Sequence, residues 1–157
     1  MTGARSFALS AVAVVAAATA VAAAGPERPA PAGEHQAVEK TVRAAVYAAV
    51  RHDNYRRACR FATARGRQRL IDGVNSGSGP DYPNCPVIIA DEVENYPETV
   101  RKLRRGLVVS NIRVNAARAT VRVAEGTGPF DGSGRLSLVK VEGRWRLDNS
   151  NLIPHGD

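Results

Sequence analysis

The spacing of apolar residues divides this chain into two halves with different periods. In the first half, apolar residues recur every three or four positions, which is typical of amphipathic helices. The longest stripe predicts a helix from about Glu34 to Arg51, and it consists of Val38, Val42, Ala45, Val46, Ala49 and Val50. This helix is the first element of the predicted domain.

Capping residues predict where the next two helices begin. Asp53 or Asn54 can accept a hydrogen bond from the first turn of a helix that starts at Tyr55. Thr63 can do the same for a short helical segment that ends near Leu70. Both segments are therefore expected to follow the long helix closely.

Residues 72–84 contain most of the turn-forming residue types and predict a surface loop. Asn84 can cap the helix that follows, with Pro86 tolerated in its first turn. The run 87–89 is β-branched and compatible with a strand, but apolar residues from 89 to 103 keep helical spacing. This spacing favours helical structure up to about Gly106.

From Val108 onward the period changes to two, which predicts β-strands. One face of the first predicted strand consists of Val108, Ser110, Ile112 and Val114. A second alternating run follows the Asn115-Ala116 pair and extends to Val123. Two further strands flank a turn near the end of the chain.

That turn, Glu142-Gly143, is the clearest hairpin signal in the sequence, because Gly143 can adopt a positive φ without steric cost. After it, Trp145 and Leu147 share one face, and the opposite face consists of Arg144, Arg146 and Asp148. Helices followed by strands predict an α+β domain, with N-terminal helices packed on a curved antiparallel sheet of about four or more strands.

The N-terminus has the pattern of an export segment. Residues 1–24 combine a basic start, an uncharged stretch and an Ala-rich end, as in a signal peptide. An uncleaved membrane anchor is the alternative, because the uncharged stretch is 18 residues long (7–24). Residues 25–33 read as a Pro-rich linker, 34–153 as a single domain and 154–157 as a tail. We therefore expect a secreted or cell-envelope location.

Net charge is positive. Without the signal peptide the chain has 21 Lys and Arg against 15 Asp and Glu, a formal charge of +6. The densest cluster predicts a site for anionic lipids or envelope polymers, and it consists of Arg101, Lys102, Arg104 and Arg105. The alternative is the solvated face of a helix end, with Leu103 in the core. No aromatic residue lies within this cluster, so specific nucleic-acid binding is not expected.

Cys59 and Cys85 are the two cysteines of the chain. In an exported protein such a pair predicts a disulfide, which would close a long loop and stabilise the fold by roughly 3–4 kcal/mol. A metal site and a nucleophilic cysteine are the alternatives. The spacings that metal sites require are absent, and His52 lies seven residues before Cys59. No metal or other cofactor is predicted.

The order of these elements resembles exported actinobacterial domains of the nuclear transport factor two superfamily. The resemblance rests on the Ala-rich helix that ends at Val50, the pair Ala58-Cys59, the second cysteine Cys85, the paired strands 111–121 and the last hairpin 142–148. It covers about residues 34–151 and implies a cone-like, cystatin-like α+β fold around a pocket. The chain departs from the pattern by having few candidate strands before the third helix.

The resemblance also implies where a ligand would bind. The pocket of such a cone would be lined by Tyr47, Tyr55, Tyr96, Trp145 and Asp148. A Tyr hydroxyl beside a carboxylic acid stabilises an enolate in ketosteroid-isomerase-like members, so an isomerase or hydratase is one alternative. The residue spacing does not demand catalysis. The leading expectation is a non-enzymatic domain that binds a small apolar ligand or a protein partner, with no oligomeric state implied.

Overall fold

The computed structural model describes residues 31–77, 79–125 and 133–149. These residues form helices that precede an antiparallel sheet, which confirms the predicted α+β class. The elements in chain order are α1 (Ala32–Val50), α2 (Tyr55–Arg60), α3 (Ala64–Asn75), α4 (Cys85–Asn95), α5 (Pro97–Arg105), β1 (Leu107–Asn115), β2 (Arg118–Glu125), β3 (Ser133–Val141) and β4 (Arg144–Asn149).

The predicted helix caps are formed. In each cap a side-chain oxygen accepts a hydrogen bond from the backbone N–H three residues later, which satisfies a donor that the first helical turn leaves open. The donor–acceptor distances are 3.0, 2.8 and 3.2 Å for the caps Asn54, Thr63 and Asn84. Local sequence alone therefore determines where α2, α3 and α4 begin.

Helix α1 begins at Ala32, two residues before the predicted start at Glu34, so the predicted linker ends earlier than Gly33. The first turn is fixed from outside the helix. The Glu34 carboxylate accepts hydrogen bonds from Lys140 Nζ and from Trp145 Nε1, the latter at 2.8 Å. These two hydrogen bonds lower the pKa of Glu34 and connect α1 to the last hairpin.

Helix α3 is longer than predicted, since it extends to Asn75 and includes the first residues of the predicted loop. Ile71 and Val74 continue the stripe of Leu70 and pack against the core. The Asn75 amide then exchanges hydrogen bonds with the backbone of Tyr82, at 2.8 and 3.0 Å. Tertiary contacts thus favour helix at residues whose local preference is for turns.

The four strands form one antiparallel sheet in the order β1-β2-β3-β4. The β3–β4 turn has φ of 50° at Glu142 and 75° at Gly143, as expected for the predicted two-residue hairpin. The free edge of β4 is covered by an isolated parallel bridge from Ala62 to Leu147. Leu147 N–H donates to the carbonyl of Phe61, and Thr63 N–H donates to the carbonyl of Leu147, both at 2.8 Å.

The helices cover one face of the sheet, and the core lies between them. As predicted, Trp145 and Leu147 point into this core, being 5% and 0% exposed. The other buried sheet residues are Leu107, Ala119, Val121, Val123, Leu136 and Leu138. The side chains of the opposite face, which we call the outer face, are mostly exposed.

The predicted signal peptide and C-terminal tail, together with residues 25–30 of the linker, lie outside the described residues. Within the described part of the chain, no helix is both long and apolar enough to cross a membrane.

Candidate functional site

The outer face of the sheet is strongly cationic. Alternation and strand register place six arginines on it, and we call this set the basic face: Arg113, Arg118, Arg122, Arg135, Arg144 and Arg146. All but Arg146, which is half-buried, are exposed. The outward positions of β1, β2 and β3 contain no Asp or Glu. The positive charge of the basic face is therefore not balanced by acidic residues at the outward positions of these three strands.

Strand register brings some of these charges into direct opposition. Arg122 on β2 lies opposite Arg135 on β3, and the next outward pair along the same strands is Thr120 with Ser137. Arg113 on β1 lies opposite Thr120. Like charges directly opposite each other destabilise an antiparallel sheet. An anion bound beside Arg122 and Arg135 would reduce the repulsion between these two positive charges.

A β-bulge in β1 changes which residues face outward, and this corrects the predicted alternation. The register shifts between Ser110 and Arg113, where Asn111 has φ of 50°. Asn tolerates this left-handed conformation better than most residues. As a result Val108 points outward and is 40% exposed, whereas Ile112 packs inward against the core instead of sharing its face.

Next to the bulge, the outer face contains a recess of about 220 Å³. Its lining consists of Asn111, Arg113, Thr120, Val121, Arg122 and Arg135. The polar side chains among them are mostly hydrogen-bond donors, because a guanidinium has five N–H groups and no acceptor. The recess is therefore suited to an acceptor-rich anion. Sequence periodicity hinted at the alternating arginines, but the recess depends on strand register and on the bulge.

Of the five predicted ligand-binding residues, Tyr55 lines one of the three cavities described in this section, and the other four line none of them. Tyr47 lies against the Arg51 guanidinium, 3.9 Å from ring centroid to Cζ. Tyr96 lies at the junction of α4 and α5 and is 46% exposed. Trp145 belongs to the core, where its indole N–H donates to Glu34. Each of the three contacts a different part of the molecule.

Asp148 and Tyr55 have different surroundings. The Asp148 carboxylate accepts a hydrogen bond from Thr63 Oγ1 at 3.1 Å and pairs with Arg69 at 3.3 Å. Burial, with a smaller contribution from the charge of Asp53, raises the pKa of Tyr55. Tyr55 does line a surface groove, described next. The predicted pairing of a Tyr with Asp148 is therefore not formed among these residues.

The groove lies between α2 and α4, beside the disulfide. Cys59 and Cys85 are bonded as predicted, with their Cα atoms 6.2 Å apart. Two adjoining hollows of about 530 and 720 Å³ share four lining residues, namely Asn54, Arg56, Pro86 and Val87. The lining combines the apolar side chain of Val87, which is 42% exposed, with the basic side chains of Arg56, Arg60 and Arg67.

The predicted anion-binding cluster on α5 is partly used within the fold. Arg101 pairs with Glu98 at 2.9 Å. Arg104 donates to the carbonyl of Val50 and pairs with Asp53 at 3.4 Å, so it holds the end of α1. The other two members differ, since Lys102 is half-buried and Arg105 is exposed. Leu103 lies in the core, as the alternative interpretation requires.

Glu92, a residue of α4, was not identified as a candidate from the sequence. Burial, with a smaller effect from Asp91, raises the pKa of Glu92 to about 7. Its Oε2 atom is shielded from solvent. Tyr82 Oη donates to Asp91 at 2.7 Å nearby, which raises the pKa of Tyr82. The inward position of Glu92 could have been inferred from the sequence, because it follows the buried Ile88 by one helical turn.

Residues 31–77, 79–125 and 133–149 contain no group of three His, Cys, Asp or Glu side chains that could hold a metal ion. The chain matches no protein-family model and no curated protein sequence.

Proposed function

We propose that this protein is an exported, non-catalytic domain that binds a linear phosphodiester polymer of the cell envelope across its basic face. The observation on which the proposal depends is the outer face of the sheet, where six arginines lie and the outward positions of β1, β2 and β3 contain no Asp or Glu. Guanidinium groups pair with phosphate oxygens through two parallel N–H groups, so this face offers several such contacts at once.

The spacing of the arginines favours an extended polyanion. Alternate residues of one strand lie about 6.6–6.8 Å apart, and neighbouring strands about 4.7–4.9 Å apart. The arginines of the basic face occupy all four strands, so successive phosphates of one chain can contact different strands. The apolar side chains of the outer face include Val108, Val139 and Val141, which are short and not aromatic, and this favours a polymer over an anionic membrane.

An extracytoplasmic location is part of the proposal. The Cys59–Cys85 disulfide supports it, because such bonds persist in oxidising compartments. Membership of the nuclear transport factor two superfamily is likewise proposed, and the order of helices before a four-stranded meander supports it. In the described residues before β1 the only β-structure is the bridge at Ala62.

The test is calorimetric titration of the mature chain with poly(glycerol phosphate). A triple variant, Arg113→Gln, Arg118→Gln and Arg144→Gln, is compared with a charge-matched control. The control changes three exposed arginines outside the basic face: Arg57, Arg65 and Arg105. The basic-face variant should bind at least about tenfold more weakly and reduce the slope of log K against log salt by roughly 2. Equal losses in both variants would refute the proposal, and tighter binding to phosphatidylglycerol vesicles would reassign the partner.

A second candidate function is the binding of a small apolar or amphiphilic molecule in the groove between α2 and α4. The exposed side chain of Val87, with Arg56 in the same lining, favours it. Thermal stabilisation that grows with the concentration of a long-chain fatty acid, and that is lost in Val87→Asp, would support this candidate. An isomerase or hydratase is a further alternative, for which the groove offers one Tyr beside a carboxylate, Tyr55 with Asp53.

A further inference from the structure

We propose that the recess beside the β1 bulge is a discrete phosphate site within the basic face. This inference rests on the proposed function, because it names the position where one phosphate of the polymer is held. The recess binds a single tetrahedral oxyanion, whereas the remaining arginines of the basic face attract the rest of the polymer.

Hydrogen-bond donors from three strands converge on the recess. Arg113 comes from β1, Arg122 from β2 and Arg135 from β3, and all three line the same recess. Thr120 adds a hydroxyl and Asn111 an amide. Opposite residues on one face of a sheet have Cβ atoms about 4.5–5.5 Å apart, so Arg122 and Arg135 can reach the same anion.

Several arginines outside the basic face already have hydrogen-bond partners within the fold. Arg51, Arg69 and Arg104 donate to carbonyl groups or carboxylates of the fold. Among the described residues, Arg113 and Arg135 have no ion pair or hydrogen bond of this kind. A bound anion would therefore compensate two charges, those of Arg113 and Arg135, that the described residues leave without an acidic partner.

The shape and volume of the recess also suit a tetrahedral anion. The bulge sets two residues, Asn111 and Ile112, against Val121, so β1 departs locally from a flat sheet. The recess of about 220 Å³ is roughly seven times the ~30 Å³ share of one liquid water molecule. It thus has room for a tetrahedral oxyanion with some of its water. Donors that converge from three strands suit an anion with four oxygens better than a planar carboxylate, which one guanidinium already satisfies.

The experiment is a titration of the mature, disulfide-bonded chain with inorganic phosphate at constant ionic strength, followed by ¹H–¹⁵N correlation spectra. We expect saturable shifts centred on residues 111–113, 120–122 and 135. Arg135→Gln should weaken phosphate binding about tenfold or more, the loss expected for one hydrogen bond to a charged group. The matched control is Arg144→Gln, which removes the same charge at the other end of the basic face and should change the dissociation constant by less than about twofold.

The outcomes separate the two proposals. Equal weakening by both substitutions, or shifts spread over the whole face, would overturn the discrete site while leaving polymer binding intact. Acetate binding as tight as phosphate would also overturn it, because a planar carboxylate would then suffice. If the chain binds the polymer but shows no saturable phosphate shift, the site is refuted alone. If it binds neither, the proposed function fails with it.

Discussion

The pH dependence of stability tests whether the carboxyl of Glu92 is buried. Burial raises the pKa of this carboxyl from its ordinary 4.5 to about 7. Between these two values the folded chain binds a proton that the unfolded chain releases, so the protonated form stabilises the fold below pH 4.5. That stabilisation is lost as the pH rises through 7. A difference of about 2.5 pH units corresponds to roughly 3 kcal/mol.

The substitution Glu92→Gln removes the charge and keeps the shape. At pH 8 we expect the variant to be more stable than the parent by about 2–3 kcal/mol, and at pH 4.5 to differ from it by less than about 1 kcal/mol. Urea unfolding at several pH values measures this difference. Glu94→Gln is the matched control, since this neighbour is exposed. Equal stability of the Glu92 variant and the parent at pH 8 would show that the carboxyl is hydrated, and the assignment to the core would be wrong.

Three further predictions concern the packing of the sheet and its helices. Trp145→Ala should reduce the free energy of unfolding by about 3–5 kcal/mol, because it empties a core position, whereas Arg144→Ala should change it by less than about 0.5 kcal/mol. Denaturant unfolding compares them, and equal losses would contradict the face assignment. Reduction of the Cys59–Cys85 bond should lower stability by roughly 3 kcal/mol, measured by unfolding with and without reductant; an unchanged midpoint would argue against it. Gly66→Ala should be destabilising despite the better helix propensity of Ala, because its Cβ would lie 2.8 Å from the Leu147 carbonyl oxygen. A thermal midpoint equal to or above that of the parent would refute that contact.

The parts of the fold that were predicted correctly depend on neighbours in sequence. Asn54, Thr63 and Asn84 cap helices because each interacts with a backbone N–H three residues away. The Glu142-Gly143 turn likewise needs only two residues with positive φ. Such features can be derived from a single sequence because the groups that form them are always within reach of one another.

The parts that were missed depend on distant contacts. The bulge at Asn111 follows from how β1 pairs with β2, and without it the alternation of β1 is assigned to the wrong faces. The extension of α3 depends on contacts of Ile71 and Val74 with the core. The predicted site residues were chosen from a resemblance that implied a central pocket. The structure places Trp145 in the core and Asp148 against Thr63 and Arg69, and it gathers arginines whose proximity is visible only in the strand register.

The central claim is that the basic face binds a phosphodiester polymer, and arginine footprinting tests it most directly. The mature chain is treated with phenylglyoxal, with and without poly(glycerol phosphate), and modification is quantified by peptide mass spectrometry. The polymer should protect exposed arginines of the basic face, such as Arg113, Arg118 and Arg135, while Arg65 and Arg105 react as before. Uniform protection of all five, or protection confined to Arg65 and Arg105, would contradict the account.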